Sequence, residues 1–467
     1  MNHKKQLVKN TIIIAIGKLS TQIISFLLLR LYTSKLSTAE YGTYDFLITL
    51  SVFLLPIITL LMEESMFRFL IDAETLKEKK KIVTATVFYT IIGTIAFSII
   101  AFIILGIIKY EYGILFIIFV ISNVMIGLSN CLARGTGKIK LYSLSNFILG
   151  AMTIILNILF IAVFNLGVRG LLWSNTIANA ITAIIMFGKL NFAKYINPKD
   201  LSKKTLDQMI KYSIPLVPNN LSWIIITISD RIMLTSMVNA DANGIYSISN
   251  KFPNIIYTCY GFFSTAWKES AARIVKEENK QQYYNSIYKD MKAFLKAITI
   301  GLIAIMPFLF PLLIDKSYND AYKYIPILII AIYYTNMSNF YGGIFSAYKE
   351  TKIMGTTTFA AALINVIINL IFIQKYQIYA ATFSTFISNW MVYIYRRIKL
   401  RDYIKLHENI NIIYWLLIIG TLISYYINNK ILNIVVFIIV LVYCINTNKK
   451  FIDKAMSKFK NRNAENI

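Results

Sequence analysis

The sequence predicts an all-α integral membrane protein of about fourteen transmembrane helices, and two observations carry this prediction. Hydrophobic residues make up 57% of the chain and charged residues only 15%, against roughly 25% charged residues in an average soluble domain. The apolar residues fall into runs of about 20 or more, which is long enough for a helix to cross a hydrocarbon core of ~30 Å. This composition argues against a soluble fold.

Charged and turn-rich gaps divide the chain into apolar segments, each of which we predict to be one helix. The first segment follows three lysines, as the apolar part of a signal peptide does. It is too long for a signal peptide, contains Lys18 and lacks a small-residue cleavage site, so we interpret it as an uncleaved helix. The predicted helices occupy residues 11–34, 41–69, 82–108, 113–133, 141–164, 170–190, 212–238, 243–267, 288–314, 323–347, 353–373, 378–396, 411–427 and 431–447.

The distribution of Lys and Arg predicts that both termini lie in the cytoplasm, because positively charged loops stay on the cytoplasmic side during insertion. Of the 48 basic residues, 35 lie in the termini and the even-numbered connections with the helix ends beside them. Seven lie in the odd-numbered connections, and six lie within helices. A missed or invented helix in mid-chain would abolish this asymmetry, so the count supports the helix number as well as the orientation.

An internal duplication predicts two six-helix repeats. The stretch 30–44 recurs in outline as 231–246: in each copy an arginine ends a helix, and a G-x-Y sequence follows a short outer loop. Six helices return the chain to its starting side, so the repeats are expected to be parallel and to form two lobes around a central cavity. The predicted regions are the first lobe (1–192), a cytoplasmic linker (193–211), the second lobe (212–398), a cytoplasmic loop (399–410), two additional transmembrane helices (411–447) and a basic cytoplasmic tail (448–467).

Polar side chains within three helices form stripes that are candidate cavity walls. A charged side chain near mid-bilayer costs roughly 2.5–3.5 kcal/mol on insertion scales, so such residues usually face a cavity or a partner. Helical spacing places each set on one face. The stripes are Lys18, Gln22 and Ser25 on the first helix; Asn219, Trp223 and Asp230 beside Asn220, Thr227 and Arg231 on the seventh; and Ser247, Asn250, Lys251, Asn254 and Thr258 on the eighth.

Structural alternatives stand beside these assignments. Lys18, Lys251 and Lys296 lie within roughly 12 Å of a helix end at 1.5 Å per residue, so their long side chains could reach the interface. Arg30 and Arg68 lie close enough to helix ends to act as interfacial anchors.

Acidic and amide side chains in the helices have structural interpretations as well. Asp230 and Arg231 point about 100° apart around their helix, so they are not expected to pair simply with each other. For Asp45, Glu63 and Glu64 we prefer charges at a wet interface. Interhelical hydrogen bonding is the expected role for most of the helix asparagines, namely Asn157, Asn175, Asn179, Asn365, Asn369 and Asn389.

Several site types are missing from the sequence. The three cysteines are scattered, and the only histidines are His3 and His407, so neither a thiolate site nor a His-ligated metal is expected. The sequence around Lys138 fails as a phosphate loop, because Leu132 stands where the motif needs glycine and Ile139 where it needs Ser or Thr. No cofactor is expected. Positive-inside topology explains the net charge of +25 more simply than nucleic-acid binding does. The short outer connections argue against a membrane glycosyltransferase or polymerase, so we do not predict an enzyme.

Four motifs resemble those of the polysaccharide flippases, which export lipid-linked oligosaccharides within the multidrug/oligosaccharidyl-lipid/polysaccharide (MOP) superfamily. They are the outer-loop sequence Glu40-Tyr-Gly-Thr-Tyr44, the seventh-helix sequence Ser229-Asp-Arg231, Asn243-Gly-Ile-Tyr246 just beyond it, and Leu132-Ala-Arg-Gly-Thr-Gly-Lys138. The helix count of twelve plus two also fits this family.

The resemblance implies that the protein moves an undecaprenyl-diphosphate-linked oligosaccharide, such as an O-antigen unit, from the inner to the outer leaflet by alternating access. It also implies a multi-pass protein of the bacterial cytoplasmic membrane, a polymerase and chain-length machinery as partners, and coupling to protons or sodium. A drug exporter of the same superfamily is the nearest alternative, and its cavity would be expected to favour cationic substrates. A structural membrane protein is a further alternative.

A lipid-linked oligosaccharide demands cations for its diphosphate, and amides, hydroxyls and aromatic faces for its sugars. Lys18, Arg231 and Lys251 are the candidates for the diphosphate, with Arg30 and Lys296 as further candidate cavity cations. Asp230 is expected to hold a basic partner or to couple a cation gradient. The candidate polar cavity contacts are Gln22, Ser25, Asn219, Asn220, Trp223, Thr227, Asn250 and Asn254.

Overall fold

A computed structural model of the chain describes residues 26, 28–275, 277–407 and 411–464, and in these residues all regular structure is helical. The α-helices are α1 (Leu29–Lys35), α2 (Thr38–Thr59), α3 (Met62–Asp72), α4 (Leu76–Ile107), α5 (Gly113–Gly135), α6 (Ile139–Asn157), α7 (Gly167–Leu190), α8 (Lys203–Ser213), α9 (Leu216–Met237), α10 (Ala240–Ile274), α11 (Lys280–Leu313), α12 (Ile325–Ala347), α13 (Thr351–Tyr376), α14 (Ile378–Leu400), α15 (Ile412–Ile427) and α16 (Lys430–Ala464). A π-helix (Ile158–Val163) continues α6, and 3₁₀-helices occupy Phe192–Tyr195, Pro198–Asp200 and Lys316–Tyr324.

Eight helical segments in the described residues are long and apolar enough to cross a bilayer, which confirms the prediction of an all-α membrane protein. The shorter α15 is also apolar. Four other long helices, α9, α10, α12 and α14, fall outside this set because they carry more polar side chains. The eight segments are Thr38–Thr59, Leu76–Ile107, Gly113–Gly135, Ile139–Val163, Gly167–Leu190, Lys280–Leu313, Lys352–Tyr376 and Lys430–Lys449.

Each predicted apolar segment from the second to the fourteenth overlaps a helix of the structure. The second segment differs from its prediction, because residues 41–69 form two helices, α2 and α3, rather than one. The predicted linker, 193–211, also contains helical structure, including the amphipathic α8, whose Met209 is fully buried. Most of the first predicted helix, 11–34, lies outside the described residues.

Two helix starts follow directly from short sequence motifs. At α2, Ser37 Oγ accepts the Glu40 N–H at 3.2 Å and Glu40 Oε2 accepts the Ser37 N–H at 2.8 Å. Thr75 and Glu78 make the same reciprocal pair at the start of α4. These are capping boxes, which satisfy backbone donors that a helix leaves unpaired in its first turn. The sequence S/T-x-x-E therefore marks where these helices begin.

The chain divides into two compact units, with the boundary between Gly244 and Ile245 inside α10. In the first unit, α3, α4, α5, α7 and α8 share a core that includes Met62, Leu132, Met186 and Met209. In the second unit, α15 and α16 pack on α11 through a separate cluster that includes Tyr414. The two helices predicted to lie outside the duplication are thus packed against α11, a helix of the predicted second repeat.

Asparagine side chains tie neighbouring helices together, as the sequence analysis expects for most of them. Asn157 Nδ2 donates to Tyr32 Oη at 2.8 Å, and Asn175 Nδ2 donates to Tyr44 Oη at 3.0 Å. Further contacts join Asn179 to Ser122 and Asn123, and Asn365 to Ser384. Such bonds help to hold transmembrane helices together, because lipid tails are as apolar as the helix surfaces and the hydrophobic effect does not drive the helices together.

Candidate functional site

An ion pair between buried Asp45 and part-buried Arg231 joins α2 and α9 in the first unit. Arg231 Nη1 lies 3.4 Å from Asp45 Oδ1 and 3.5 Å from Thr49 Oγ1. The side chains of Arg231 and Asp45 are 20% and 8% exposed. Asp45 and Thr49 lie one turn apart on α2 and therefore present both oxygens to the same guanidinium. The structure thus gives Arg231, a candidate cavity cation, a protein carboxylate as one partner.

The interpretation of Asp45 as a charge at a wet interface is wrong, because the residue is buried at 6% exposure. Its Oδ2 atom is also buried and has no hydrogen-bond partner among the described residues. Burial of a carboxylate is tolerated when a cation compensates it, and Arg231 supplies that cation. Asp230, next to Arg231, is buried as well at 4% exposure.

The glycines of the two G-x-Y motifs, Gly42 and Gly244, pack directly on each other, and Gly42 lies one helical turn from Asp45. A Cβ added to Gly42 would lie 1.8 Å from the carbonyl oxygen of Ala240, and one added to Gly244 would lie 2.0 Å from that of Thr38. Each glycine therefore approaches the first residue of the other copy's helix, α10 or α2. Only a residue without Cβ permits backbones to approach this closely.

Side-chain hydrogen bonds reinforce this glycine contact. Asn243 Nδ2 donates to the Gly42 carbonyl at 2.8 Å, and the Thr38 hydroxyl donates to the Asp241 carboxylate. We call the two backbone segments, 38–42 and 240–244, the glycine clasp. The two G-x-Y motifs, which indicated both the duplication and the family resemblance, thus contact each other through this clasp.

Three of the predicted contacts on the eighth helix lie on α10 in the second unit. Asn250, Lys251 and Asn254 are half-buried. Asn250 Nδ2 donates to the Tyr246 carbonyl of its own helix at 3.0 Å, and the Asn254 carbonyl accepts from Thr258 at 2.9 Å. Their spacing keeps them on one face, as predicted.

The remaining sequence-predicted site residues have varied placements. Asn220 on α9 is half-buried, and Arg30 on α1 is exposed. Those outside the part that the structure describes are Lys18, Gln22 and Ser25, together with the side chains of Asn219, Trp223 and Thr227 on α9.

Lys296 occupies a packing position on α11 in the second unit. The residue is 8% exposed, and its Nζ lies 4.3 Å from the centre of the Tyr414 ring on α15. A desolvated cation over an aromatic face gains about 2 kcal/mol, which offsets part of the burial penalty. This placement favours a structural role for Lys296, in which it helps to pack α15 against α11, over contact with a cargo.

Lys296→Met is therefore expected to retain transport and to change the free energy of unfolding by no more than about 1 kcal/mol. Methionine fills a similar apolar volume, and the lost cation–π contact is matched by the removal of a buried charge. Unfolding in detergent and genetic complementation would measure the two effects. Loss of complementation by a stable Lys296→Met protein would instead assign this lysine to the transport path.

Two residues of the site were not predicted from the sequence. They are Asp45 and Thr49 on α2, which contact Arg231. Their one available signal is the spacing of four residues, which places them on one helix face. Nothing local in the sequence connects that face to α9, whose partner residue is 186 positions away.

The chain is similar to one protein family and to a curated membrane protein. A family model described as "Polysaccharide biosynthesis protein" matches residues 7–267. A curated relative, an uncharacterised membrane protein of the archaeon Methanocaldococcus jannaschii, is 25% identical over 329 residues, which cover 64% of this chain and 76% of the relative.

Two solved structures are similar in fold. One is a lipid II flippase, MurJ, in an inward closed conformation: the TM-score is 0.70 at 16% identity, covering 94% of this chain and 100% of that one. The other is an inward-facing multidrug resistance transporter of the MATE family within the MOP superfamily: the TM-score is 0.67 at 14% identity, covering 83% and 98%. At these identities the likeness concerns the fold.

Proposed function

Because the chain belongs to the polysaccharide biosynthesis protein family, we propose that it moves an undecaprenyl-diphosphate-linked oligosaccharide from the inner to the outer leaflet of the cytoplasmic membrane. The family and the fold support a multi-pass membrane transporter of the MOP superfamily, and proteins with this fold are typically not enzymes. Lipid II, the cargo in the name of the similar flippase, also belongs to the class of lipid-linked saccharides.

The observation that carries this proposal is the extent of the family match. Residues 7–267 include all three cations that we assign to the diphosphate, Lys18, Arg231 and Lys251. A diphosphate is an anion that must leave water to cross, so fixed cations along its path reduce the desolvation penalty. Half-buried amides at Asn250 and Asn254 would serve the sugar hydroxyls. The lipid tail can remain in the bilayer throughout.

The proposed topology has fourteen spans with both termini in the cytoplasm. It comprises two parallel six-helix repeats and the added pair α15 and α16. The glycine clasp supports the repeat assignment, because equivalent residues of the two copies exchange equivalent contacts there. For a transporter that works by alternating access, a contact between repeats on the outer side is one that must open for release.

Export of drugs is the second candidate, favoured by the fold likeness to the MATE transporter. Cationic drugs require acidic sites, and the sequence analysis expected a basic one. The structure reduces the weight of this charge argument, since buried Asp45 and Asp230 accompany Arg231. The family match therefore supports a lipid-linked saccharide over a cationic drug as the proposed cargo.

The test is a gene deletion followed by rescue with the wild type or with Lys18→Ala, Arg231→Ala or Lys251→Ala. We expect the deletion strain to retain lipid-linked oligosaccharide in the inner leaflet, and each variant to lower the flipped fraction at least about tenfold. A hydrogen bond to a charged group contributes about 1.5–3 kcal/mol, which sets this scale. Protein abundance in each strain is measured by immunoblot.

Lys375→Ala is the matched control, since this lysine is exposed at the end of α13; it should rescue fully. Full rescue by all three cavity variants would eliminate the proposed anion site. An unchanged surface glycan in a deletion strain that has no redundant transporter would eliminate the flippase, whereas sensitivity to cationic drugs in the same strain would support the exporter.

A further inference from the structure

The second predicted span is broken near its cytoplasmic end. α2 ends at Thr59 and α3 begins at Met62, and the two leucines between them, Leu60 and Leu61, have left-handed φ values of 46° and 54°. Residues with a side chain rarely adopt this conformation, and two in succession are rarer still. Strained backbone of this kind persists only where its surroundings enforce it, and it collects at functional sites.

Contacts on both sides hold the break in place. The Ile58 carbonyl lies so close to Gly93 of α4 that an added Cβ would be 2.1 Å from the oxygen. On the other side, Ser65 Oγ donates to the Met209 carbonyl of α8 at 3.1 Å. The packing of the first unit therefore enforces the break.

The Thr59 hydroxyl lies at the end of α2 beside the break, and two acceptors lie within reach of its single proton. Oγ1 is 3.0 Å from the Leu55 carbonyl and 3.2 Å from Glu63 Oε1, and it accepts the Leu61 N–H at 3.2 Å. If Glu63 is a carboxylate, Thr59 can donate its proton either to Glu63 Oε1 or to the Leu55 carbonyl. The acceptor that does not receive it then lacks a hydrogen bond from Thr59. If Oε1 carries a proton, Glu63 donates to Thr59 and Thr59 donates to Leu55, so both contacts are satisfied together.

The burial of the second carboxyl oxygen of Glu63 also favours a carboxyl that takes up a proton. Its Oε2 is buried and has no hydrogen-bond partner among the described residues, and an orphaned oxygen is more costly when charged. The ionisable groups that face Glu63 are Glu64 on α3 and Cys131 on α5. Arg134 of α5 lies 3.9 Å from Glu64. In the described residues, neither α4 nor α8 places a charged side chain against Glu63.

We propose that Glu63 binds and releases a proton during transport, and that this proton changes the angle between α2 and α3 through Thr59. The use of the proton in transport rests on the proposed function, whereas the hinge itself does not. Uptake transfers a proton from water to Oε1 and completes the chain from Glu63 through Thr59 to Leu55. Release leaves a carboxylate that competes with the Leu55 carbonyl for one hydroxyl proton, so the backbone at the break relaxes to a second arrangement.

A helix-end role is the structural alternative, because acids in the first turn of a helix are stabilised by its dipole. Glu64 occupies the same first turn, but its side chain is 46% exposed and lies beside Arg134. It is therefore a matched control that shares the dipole and lacks the contact with Thr59. A helix-end role predicts similar behaviour for Glu63→Gln and Glu64→Gln.

The experiment measures the distance across the hinge in proteoliposomes that hold the full chain. Spin labels replace two exposed residues, Val52 on α2 and Ile71 on α3, in a background in which the three native cysteines are replaced. Distance distributions are compared between about pH 5 and about pH 8 at constant sodium. The variants are Glu63→Gln, Glu64→Gln, Thr59→Val and Thr59→Ser, and flipping of lipid-linked oligosaccharide is assayed on the same preparations.

We expect two distance populations in the wild type, with a ratio that changes by up to about tenfold per pH unit, the limit for linkage to one proton. At every pH, Glu63→Gln should show the distance population that the wild type adopts at about pH 5. Thr59→Val should abolish the pH response. Glu64→Gln and Thr59→Ser should retain it. Thermal unfolding verifies that each variant is folded, and if Glu63→Gln is not, the two Thr59 variants decide.

A distance that follows sodium but not pH overturns the proton site, and so does a pH response that survives in Glu63→Gln. A wild type that flips the cargo without any pH-dependent distance overturns the hinge and leaves the proposed function standing. A pH-dependent hinge in a protein that does not flip the cargo overturns the proposed function and leaves the hinge standing.

Discussion

Arg231→Ala is expected to lower the free energy of unfolding by about 3–5 kcal/mol, the usual effect of leaving a buried charge without its ionic partner. The loss arises because Asp45 stays buried opposite the vacated position, and one of its oxygens already lacks a partner in the described residues. Denaturant unfolding of the detergent-purified protein would measure the change.

Two comparisons test the physical cause of that loss. The double variant Asp45→Asn with Arg231→Gln removes both charges and should recover at least half of the lost free energy, because a neutral pair has a smaller desolvation penalty. Arg169→Ala removes an ion pair with Glu111 that is shorter, at 3.0 Å, but whose side chains are 61% and 57% exposed. Exposed pairs contribute about 0–1 kcal/mol. Equal losses in Arg231→Ala and Arg169→Ala would refute the claim that burial makes Arg231 important.

Gly42→Ala is expected to destabilise the protein by about 1–3 kcal/mol or more, in line with other overpacked sites. Its new methyl group would lie 1.8 Å from the Ala240 carbonyl, which is backbone and has no rotamer to change. The glycine clasp must therefore separate, and with it the hydrogen bond from Asn243 to the Gly42 carbonyl. Thermal unfolding and a crosslink between introduced cysteines at Thr38 and Ala240 would report the separation.

Gly106→Ala and Gly127→Ala are the controls for Gly42→Ala, since each lies in a helix and an added Cβ meets nothing within 4 Å. Alanine has the better helix propensity, so both variants should be neutral or slightly stabilising. Gly244→Ala should resemble Gly42→Ala, with a contact at 2.0 Å to the Thr38 carbonyl. A Gly42→Ala protein as stable as these controls would show that the clasp is not closely packed in the membrane.

The two variants would also separate gating from cargo binding. Arg231→Ala alters a candidate diphosphate ligand and a helix contact together, whereas Gly42→Ala alters only the clasp. If a protein with a loosened clasp still binds the lipid-linked cargo but releases it on both sides of the membrane, the clasp controls access. A loss of binding in Lys251→Ala at normal stability would then assign binding to the cations.

Helix positions were predictable because their signal is local. The apolar run of α4, for example, predicted a helix over 82–108, and the helix of the structure covers most of that range but begins earlier, at Leu76 after the capping box of Thr75 and Glu78. One exception was the predicted linker, 193–211, which contains the amphipathic α8. The other was residues 41–69, where hydropathy continues across Leu60 and Leu61. Leucine is a good helix former, so no propensity signalled the break, which depends on contacts with α4 and α8.

The candidate site was predictable only as a set of helix faces. The position of Arg231 within a helix marked it as a residue in need of a partner, and Asp45 became that partner only when α2 packed against α9. The same holds for Lys296, which the sequence offered as a cavity cation and the structure places over Tyr414. A hydrophobic or charged pattern indicates which face of a helix carries polar side chains, but it does not indicate which residues that face contacts.

By itself, the sequence determined that this protein is a membrane protein of many helices, where most of those helices lie, and which motifs are repeated. Those properties depend on residue type and on spacing along a few helical turns. Only the tertiary structure decided that the repeated glycines touch each other's helices, that Arg231 lies beside Asp45, and that α2 and α3 are separated at Leu60 and Leu61. These depend on contacts between segments far apart in the chain, where close packing and desolvation set the energy, and no local pattern encodes them.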